Sequence, residues 1–302
     1  MNTVITYSRY GGPEVLSLSE MAVPQPGPGQ VRIRVKAVAV NPIDAKIRSG
    51  RLDGFLPARF PVLPGWDVAG VVDAAGEGAS AAAGDAVFGV ASAGGYSQYA
   101  LLDRPVPLPE TLSFETAAAV VTVGEAAFRV LKHLGLKAGQ SLLILGAGGS
   151  VGTIAAQLAV ARGITVTGTA ADADLGRLAA LGVTAVRYGD GWTERVRAAA
   201  PAGVDAVFDT AGTGLLPDAI ALAGDPAPVI TIADGSAAEH GVRFTGQDPS
   251  DRAPEALPEL AALLADGRLT VPIWRAYPLA EAAQAHADLE AGRNHGKIVL
   301  LP

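Results

Sequence analysis

The sequence predicts an α/β protein in two parts: a doubly wound parallel sheet and a β-rich, barrel-like domain. Three observations carry this. An unbroken apolar run, Leu142 to Leu145, ends in glycines at positions 146, 148, 149 and 152. From Ser141 onward, short apolar runs alternate with Ala-rich helical stretches, the βαβ pattern of a parallel sheet. Before that, short segments with β character are closely punctuated by Gly and Pro, as in a compact barrel.

The first strand expected is Val31 to Val38, which alternates with period two, as a half-buried strand does. The loop Pro24-Gln25-Pro26-Gly27-Pro28-Gly29 precedes it. Further strands are expected at Asp67 to Ala74, Ala86 to Val90 and Ser97 to Leu102. Leu112 to Leu134 reads as helix with a break near Gly124. The parallel strands are then Ser141 to Leu145, Ile164 to Thr169, Ala185 to Tyr188, Ala206 to Asp209 and Val229 to Ala233, with Val242 to Thr245 a candidate sixth. Thr153 to Arg162 and Leu257 to Asp266 read as helices, the latter capped by Gly267. The tail, Lys297 to Leu301, reads as a strand returning to the first domain. The expected domains are 1–115 with 266–302, and 116–265.

The glycine string is G-x-G-G-x-x-G, the Rossmann dinucleotide fingerprint with its third glycine displaced by one position. Strand, glycine turn and helix N-terminus make a pyrophosphate cradle. Bare backbone lets the ligand approach, and free N–H groups and the helix dipole receive its charge. Gly146, Gly148, Gly149, Ser150 and Val151 are therefore candidate cofactor contacts. A side chain introduced at Gly148 or Gly149 is expected to enter the pyrophosphate position.

Composition narrows the classes. The chain has 302 residues and no cysteine, so disulfides, thiolate zinc sites and Cys nucleophiles are excluded. His133, His240, His286 and His295 are scattered without ligand spacing and read as surface or structural residues. A net charge of −7 argues against nucleic acid as a partner. No basic segment precedes an apolar one at the N-terminus, and no apolar run reaches spanning length, so membrane insertion is not expected. A soluble, cytoplasmic protein is the expectation.

The order of β-rich domain, Rossmann domain and returning tail resembles the medium-chain dehydrogenase/reductase superfamily. Several landmarks are similar to its zinc-free quinone oxidoreductase branch. These are Asn41-Pro42-Ile43-Asp44-Ala45-Lys46, Leu63 to Gly70, Gly84 to Gly89, Gly94-Gly95-Tyr96-Ser97, Asp209-Thr210-Ala211-Gly212 and Gly296 to Leu300. Zinc-dependent members carry a catalytic Cys and Gly-His-Glu; here the second reads Gly65-Trp66-Asp67, so no metal ligand set is expected. Asp-x-Lys at 44–46 and Gly-aromatic-Asp at 65–67 look most like the enone oxidoreductases. The resemblance implies a GroES-like first domain and metal-free hydride transfer from a nicotinamide to an enone or quinone. The alternative is a nucleotide-bound structural or sensing protein without turnover. Homodimers are usual in that family.

Without a metal, a positioned donor must stabilise the charge that develops on the acceptor. Lys46 is the leading candidate, binding either the carbonyl oxygen or the cofactor ribose, with Asp67 holding it by an ion pair; a purely structural pair is the competing reading. The resemblance implies that Asn41 is a catalytic residue that contacts the nicotinamide or its ribose; a turn residue before Pro42 is the competing reading. Tyr96 reads as a proton donor or a loop-packing residue. Glu125 lies near the nicotinamide in relatives, or is a helix-start residue. Thr122, Ala211, Ile232, Phe244 and Lys297 complete the expected cofactor contacts. The second Rossmann strand ends at Thr169-Ala170 without the acid that marks NAD enzymes. This favours NADPH over NADH, with Thr169 and Arg177 at the adenosine end; the resemblance implies that Tyr188 flanks the adenosine phosphate, ordinary packing at a strand end being the other reading. Asp172 and Asp174 argue the other way, and Arg177 is the nearest base.

Overall fold

The computed structural model describes residues 1–246 and 248–302. The chain divides into two compact units, 1–122 with 257–302, and 123–256. The limits expected from sequence, 115/116 and 265/266, fall in the first turn of one helix and just after the last residue of another.

The first unit begins with an antiparallel pair, β1 (Asn2–Thr6) and β2 (Ser17–Met21). Strand β3 (Val31–Val40) follows, then helix α1 (Pro42–Arg48), β4 (Asp67–Ala75), β5 (Ala86–Val90), β6 (Tyr99–Leu102) and β7 (Val106–Pro107). The last segment adds β14 (Ile273–Pro278), α8 (Ala282–Glu290) and β15 (Lys297–Leu301). The tail strand β15 returns to the first unit, as the sequence predicts, and pairs there antiparallel with Val38 to Val40 of β3. Strand β3 is long enough to serve two neighbours on one edge. Residues 31–34 pair with β6, residues 38–40 with β15, and β4 runs along the other edge. Val31, Ile33, Val35, Val38 and Val40 point into one core with Val68, Leu102, Tyr96 and Ile298. The period-two pattern at 31, 33 and 35 is thus the buried face of the strand, and past the register shift between Val35 and Ala37 that face continues at 38 and 40.

Helix α2 (Phe114–Leu134) runs without interruption through Gly124. The break expected there is absent: Val120, Val121, Val123, Ala126, Ala127, Val130 and Leu131 are all buried. Burial of this apolar surface outweighs the roughly 1 kcal/mol that one glycine costs a helix.

The second unit holds the parallel sheet, in the order β10-β9-β8-β11-β12-β13. Its elements are β8 (Ser141–Leu145), α3 (Ser150–Ala161), β9 (Thr165–Ala170), α4 (Asp172–Ala180), β10 (Thr184–Arg187), α5 (Trp192–Ala199), β11 (Ala206–Asp209), α6 (Leu216–Ala223), β12 (Val229–Thr231) and β13 (Arg243–Phe244). Strand β8 lies between β9 and β11, with Leu142 to Leu145 fully buried. A strand covered on both faces needs no polar alternation, which is why its sequence shows none. Strand order reverses between β8 and β11, and the glycine turn leaves β8 at that switch point, where open α/β sheets bind ligands. Helix α7 (Ala256–Ala265) begins at the unit limit and ends before Gly267, which has φ +69°. Among the described residues, no helix is long and apolar enough to cross a membrane.

Candidate functional site

The glycine turn is built for close approach. Gly146 has φ +80°, and its N–H donates to Thr169 Oγ1 at 3.1 Å. Gly149 is the N-cap of α3, in extended conformation. Ser150, Val151 and Gly152 form the first turn, so their N–H groups have no partner within the helix and face an incoming anion. A Cβ at Gly152 would lie 2.4 Å from the Gly146 carbonyl oxygen, so this glycine lets α3 pack onto the turn. A Cβ at Gly149 would meet only that same oxygen, at 3.4 Å, and otherwise open space. Gly148 differs from the expectation. Its Cβ would lie 2.6 Å from Asp174 Oδ2, so a side chain there runs first into α4.

Where β9 ends, Thr169 and Ala170 are buried and the N–H of Tyr188 donates to Ala170 O. Tyr188 is 58% exposed. Arg177 donates to Gly148 O at 2.9 Å, Thr153 Oγ1 at 3.1 Å and Asp174 Oδ1 at 2.8 Å. Arg187 pairs with Asp172 at 3.6 Å on the surface. Past β11, Asp209 is buried and organises the loop tips. It accepts the N–H groups of Ala211 and Gly212 and the Thr231 hydroxyl. Ala211, Ile232 and Phe244 therefore sit at or just beyond the ends of β11, β12 and β13.

The first unit carries a buried polar cluster. Asn41 opens α1, and its N–H donates to Asp44 Oδ2 at 2.9 Å, half of a capping box. Asn41 Nδ2 donates to Asp67 Oδ2 at 2.8 Å, and Lys297 Nζ donates to Asn41 Oδ1 and to Val40 O. Asp67 also accepts the Thr122 N–H at 3.1 Å and the Thr122 hydroxyl at 2.6 Å. Burial raises the Asp67 carboxyl above its ordinary value, while Lys297 and the Thr122 and Asn41 donors pull it back. Burial lowers Lys297, against the attraction of Asp67 and Asp44. Asp44 is pushed up to about 7 by burial, against the Asn41 N–H that favours its charge.

This arrangement corrects the expected Lys46–Asp67 ion pair. Lys46 lies on the exposed face of α1, and no ion pair joins it to Asp67 among the described residues. The cation beside Asp67 is Lys297, brought from the tail by the β15–β3 pairing. Side chains at 44 and 46 lie about 200° apart around a helix, so if one faces the core the other faces away.

A second chain of contacts runs through Tyr96, which is fully buried. Its hydroxyl is 3.3 Å from Asp44 Oδ2 and 2.9 Å from His286 Nε2. His286 Nδ1 lies 3.4 Å from Arg48, whose guanidinium pairs with Glu290 at 2.7 Å. Burial and Arg48 drive His286 down to about 3, so it is neutral. Arg48 is donor only, so Nδ1 accepts and Nε2 carries the proton. His286 then donates to Tyr96, and Tyr96 donates to Asp44. The hydroxyl is thus taken up inside the unit, and burial with Asp44 holds its pKa well above the tyrosine range. Glu125 is likewise not at a helix start. It lies within α2 and accepts from Arg129, Arg252 and the Ala253 N–H. The role of His286 is not legible in the sequence, because its partners lie 190 and 238 positions away. Among the described residues, no three His, Asp or Glu side chains converge as a metal site.

Residues 27–105 match the alcohol dehydrogenase GroES-like domain family, and residues 181–300 match the zinc-binding dehydrogenase family. The latter span contains His240, His286 and His295 and no cysteine. The chain is 34% identical to a quinone oxidoreductase of Sus scrofa, over 99% of this chain and 97% of that one. It is 31% identical to the 2-methylene-furan-3-one reductase of Solanum lycopersicum, over 98% of this chain and 78% of the relative. The structure of Escherichia coli quinone oxidoreductase complexed with NADPH superposes with a TM-score of 0.89 at 27% identity, covering 99% of this chain and all of that one.

Proposed function

The chain belongs to the medium-chain dehydrogenase/reductase superfamily, in its zinc-free quinone oxidoreductase branch, and we propose that it is an NADPH-dependent reductase of activated C=C bonds or quinones. The oxidoreductase class and the nicotinamide cofactor follow from the family. The observation that carries the reading is the glycine turn at the switch point of the parallel sheet. The residues present fit the nucleotide: the N-cap at 149 has no side chain, and three first-turn N–H groups of α3 lack helical partners. When bound, the nicotinamide supplies a hydride.

The chain's own groups do the rest. Gly149, Ser150 and Val151 hold the pyrophosphate, and Gly146 and Gly152 keep the turn tight. Thr169 and Tyr188 flank the adenosine, where the absence of an acid at the end of β9 supports NADPH. Asn41, Asp67, Thr122 and Lys297 form one hydrogen-bonded unit whose geometry is fixed by burial. Lys46 is exposed, and its ammonium has no partner among the described residues, so it is free to meet an acceptor oxygen. Hydride addition at the β-carbon of an enone puts negative charge on the carbonyl oxygen, which an ammonium stabilises. The name of the Solanum relative supports an enone, and those of the mammalian relatives a quinone.

The test is coenzyme oxidation followed at 340 nm with a panel of enones and quinones. NADPH turnover with at least one acceptor is expected. Coenzyme binding without turnover on any acceptor would sink the reductase reading in favour of a non-catalytic nucleotide-binding protein.

A further inference from the structure

The first unit carries a basic cavity at a split in its sheet. Strand β3 keeps β4 along one edge, but its other edge passes from β6, paired to residues 31–34, to β15, paired to residues 38–40. The split has its cause in β1. Gln98 O accepts the Val35 N–H at 2.9 Å, but the Gln98 N–H donates to Thr3 O at 3.0 Å, and the Tyr99 backbone is held by the Asn2 side chain. The chain entering β6 is thus drawn toward β1, and Lys36 and Ala37 register with neither β6 nor β15. A cavity of about 300 Å³ opens there, lined by Arg34, Val35, Lys36, Gln98, Tyr99 and Pro302. That volume is at the lower end of the range for small-molecule sites.

The side chains of this lining donate hydrogen bonds, and none is an acid. Residues 32, 34 and 36 share the solvent face of β3, about 7 Å apart in turn. Arg32 is neutralised by Asp73 at 2.8 Å. Arg34 and Lys36 are exposed, and among the described residues neither pairs with an acid, although the chain holds 30 Asp and Glu to 23 Lys and Arg. Two like charges one step apart on a strand face repel each other, and an anion between them removes that cost. Arg34 is already positioned. Its guanidinium lies 5.7 Å from the Tyr99 ring centroid and donates to the Tyr99 hydroxyl at 3.2 Å. That hydroxyl accepts from Arg34, so its own proton is free for a ligand. Gln98 Oε1 accepts the Thr3 N–H at 3.4 Å, and the side-chain NH2 has no partner among the described residues. Guanidinium, ammonium, amide and phenol donors around one cavity are the set that receives a phosphate group. We propose that this cavity binds the phosphate group of a small phosphate monoester. Arg34 and Lys36 are its charged contacts, and Gln98 and Tyr99 its neutral donors. The site stands whether or not the glycine turn takes a coenzyme.

The test is calorimetric titration of inorganic phosphate and of glycerol phosphate into the full chain at low ionic strength, where exposed charges are least screened. Helix N-termini also take phosphate, so every titration is repeated in Gly149→Val, which fills the glycine turn. One saturable site that survives Gly149→Val is expected, with glycerol phosphate bound at least as tightly as inorganic phosphate. Lys36→Met should weaken both ligands about tenfold, and Arg34→Met about tenfold or more. Arg34→Met also removes the contact to Tyr99, so Arg34→Lys, which keeps the charge, should recover part of the affinity. Thermal melts check that each variant is folded. Binding untouched by Lys36→Met and Arg34→Met, or lost in folded Gly149→Val, would put the anion elsewhere and overturn the proposal. A site that takes inorganic phosphate but excludes glycerol phosphate would overturn the monoester assignment, and the absence of any saturable binding would overturn the site itself.

Discussion

Replacing Asp44 by Asn changes one buried charge and little shape. Oδ2 of Asp44 accepts the Asn41 N–H and faces the Tyr96 hydroxyl, and an amide oxygen can accept both bonds. The carboxyl is 4% exposed, and burial lifts it from 3.8 to about 7. A raised carboxyl makes the folded state bind a proton that the unfolded chain has already lost. Its stabilisation is therefore complete below pH 3.8 and is lost as pH rises to about 7. At ~1.4 kcal/mol per pH unit, that interval amounts to up to about 4 kcal/mol. The amide does not titrate. Wild type and Asp44→Asn should be close in stability near pH 4, and the variant should be the more stable by up to about 4 kcal/mol at pH 8. Asp67 and Lys297 titrate in both proteins, and their contributions largely cancel in the difference. Urea unfolding at pH 5, 6, 7 and 8 measures this. Trp192→Phe in both backgrounds leaves Trp66 and Trp274 as reporters of the first unit. A difference that stays constant across pH, or a variant that loses ground as pH rises, would show that Asp44 does not hold a proton in the folded state.

Gly149→Val should fold normally, because the residue is extended with φ −72° and its Cβ meets one atom at 3.4 Å; NADPH affinity by fluorescence titration should fall more than about tenfold. Unchanged affinity would displace the nucleotide from this turn. Tyr96→Phe leaves Asp44 and His286 without their shared hydroxyl, so stability should drop by about 1–3 kcal/mol with kcat nearly intact; a collapse of kcat in a folded variant would instead make Tyr96 the proton donor. Lys46→Met should lower kcat about 100-fold with NADPH affinity and Tm almost unchanged, since the side chain is exposed. Near-normal kcat at saturating coenzyme would end the catalytic reading of Lys46, and a raised Kd alone would assign it to the ribose.

What the sequence determined by itself follows local rules. A strand buried on both faces must be apolar throughout, so Leu142 to Leu145 are legible; a turn residue at positive φ favours glycine, as at Gly146, and a close backbone approach demands it at Gly152. Period-two alternation marked β3, and the same alternation of strands and helices marked the parallel sheet. Elements without such signals escaped: β1, β2, β14 and α8 carry no strong period or cap in the sequence, and α1, though Asn41, Pro42 and Asp44 cap its start, is only seven residues long. Only the tertiary structure decided which charges meet. Lys297 reaches Asn41 across 256 positions because β15 pairs with β3, and Lys46, two residues beyond Asp44 on one helix, is turned to solvent instead. Asp174 reads from sequence as an argument against NADPH; that it faces Gly148 and holds Arg177 depends on how α4 packs beside the turn. The physical reason is one of range. Burial of apolar surface imposes a period on neighbouring residues, whereas a buried polar group needs one specific partner, and nothing local in the chain says where that partner lies.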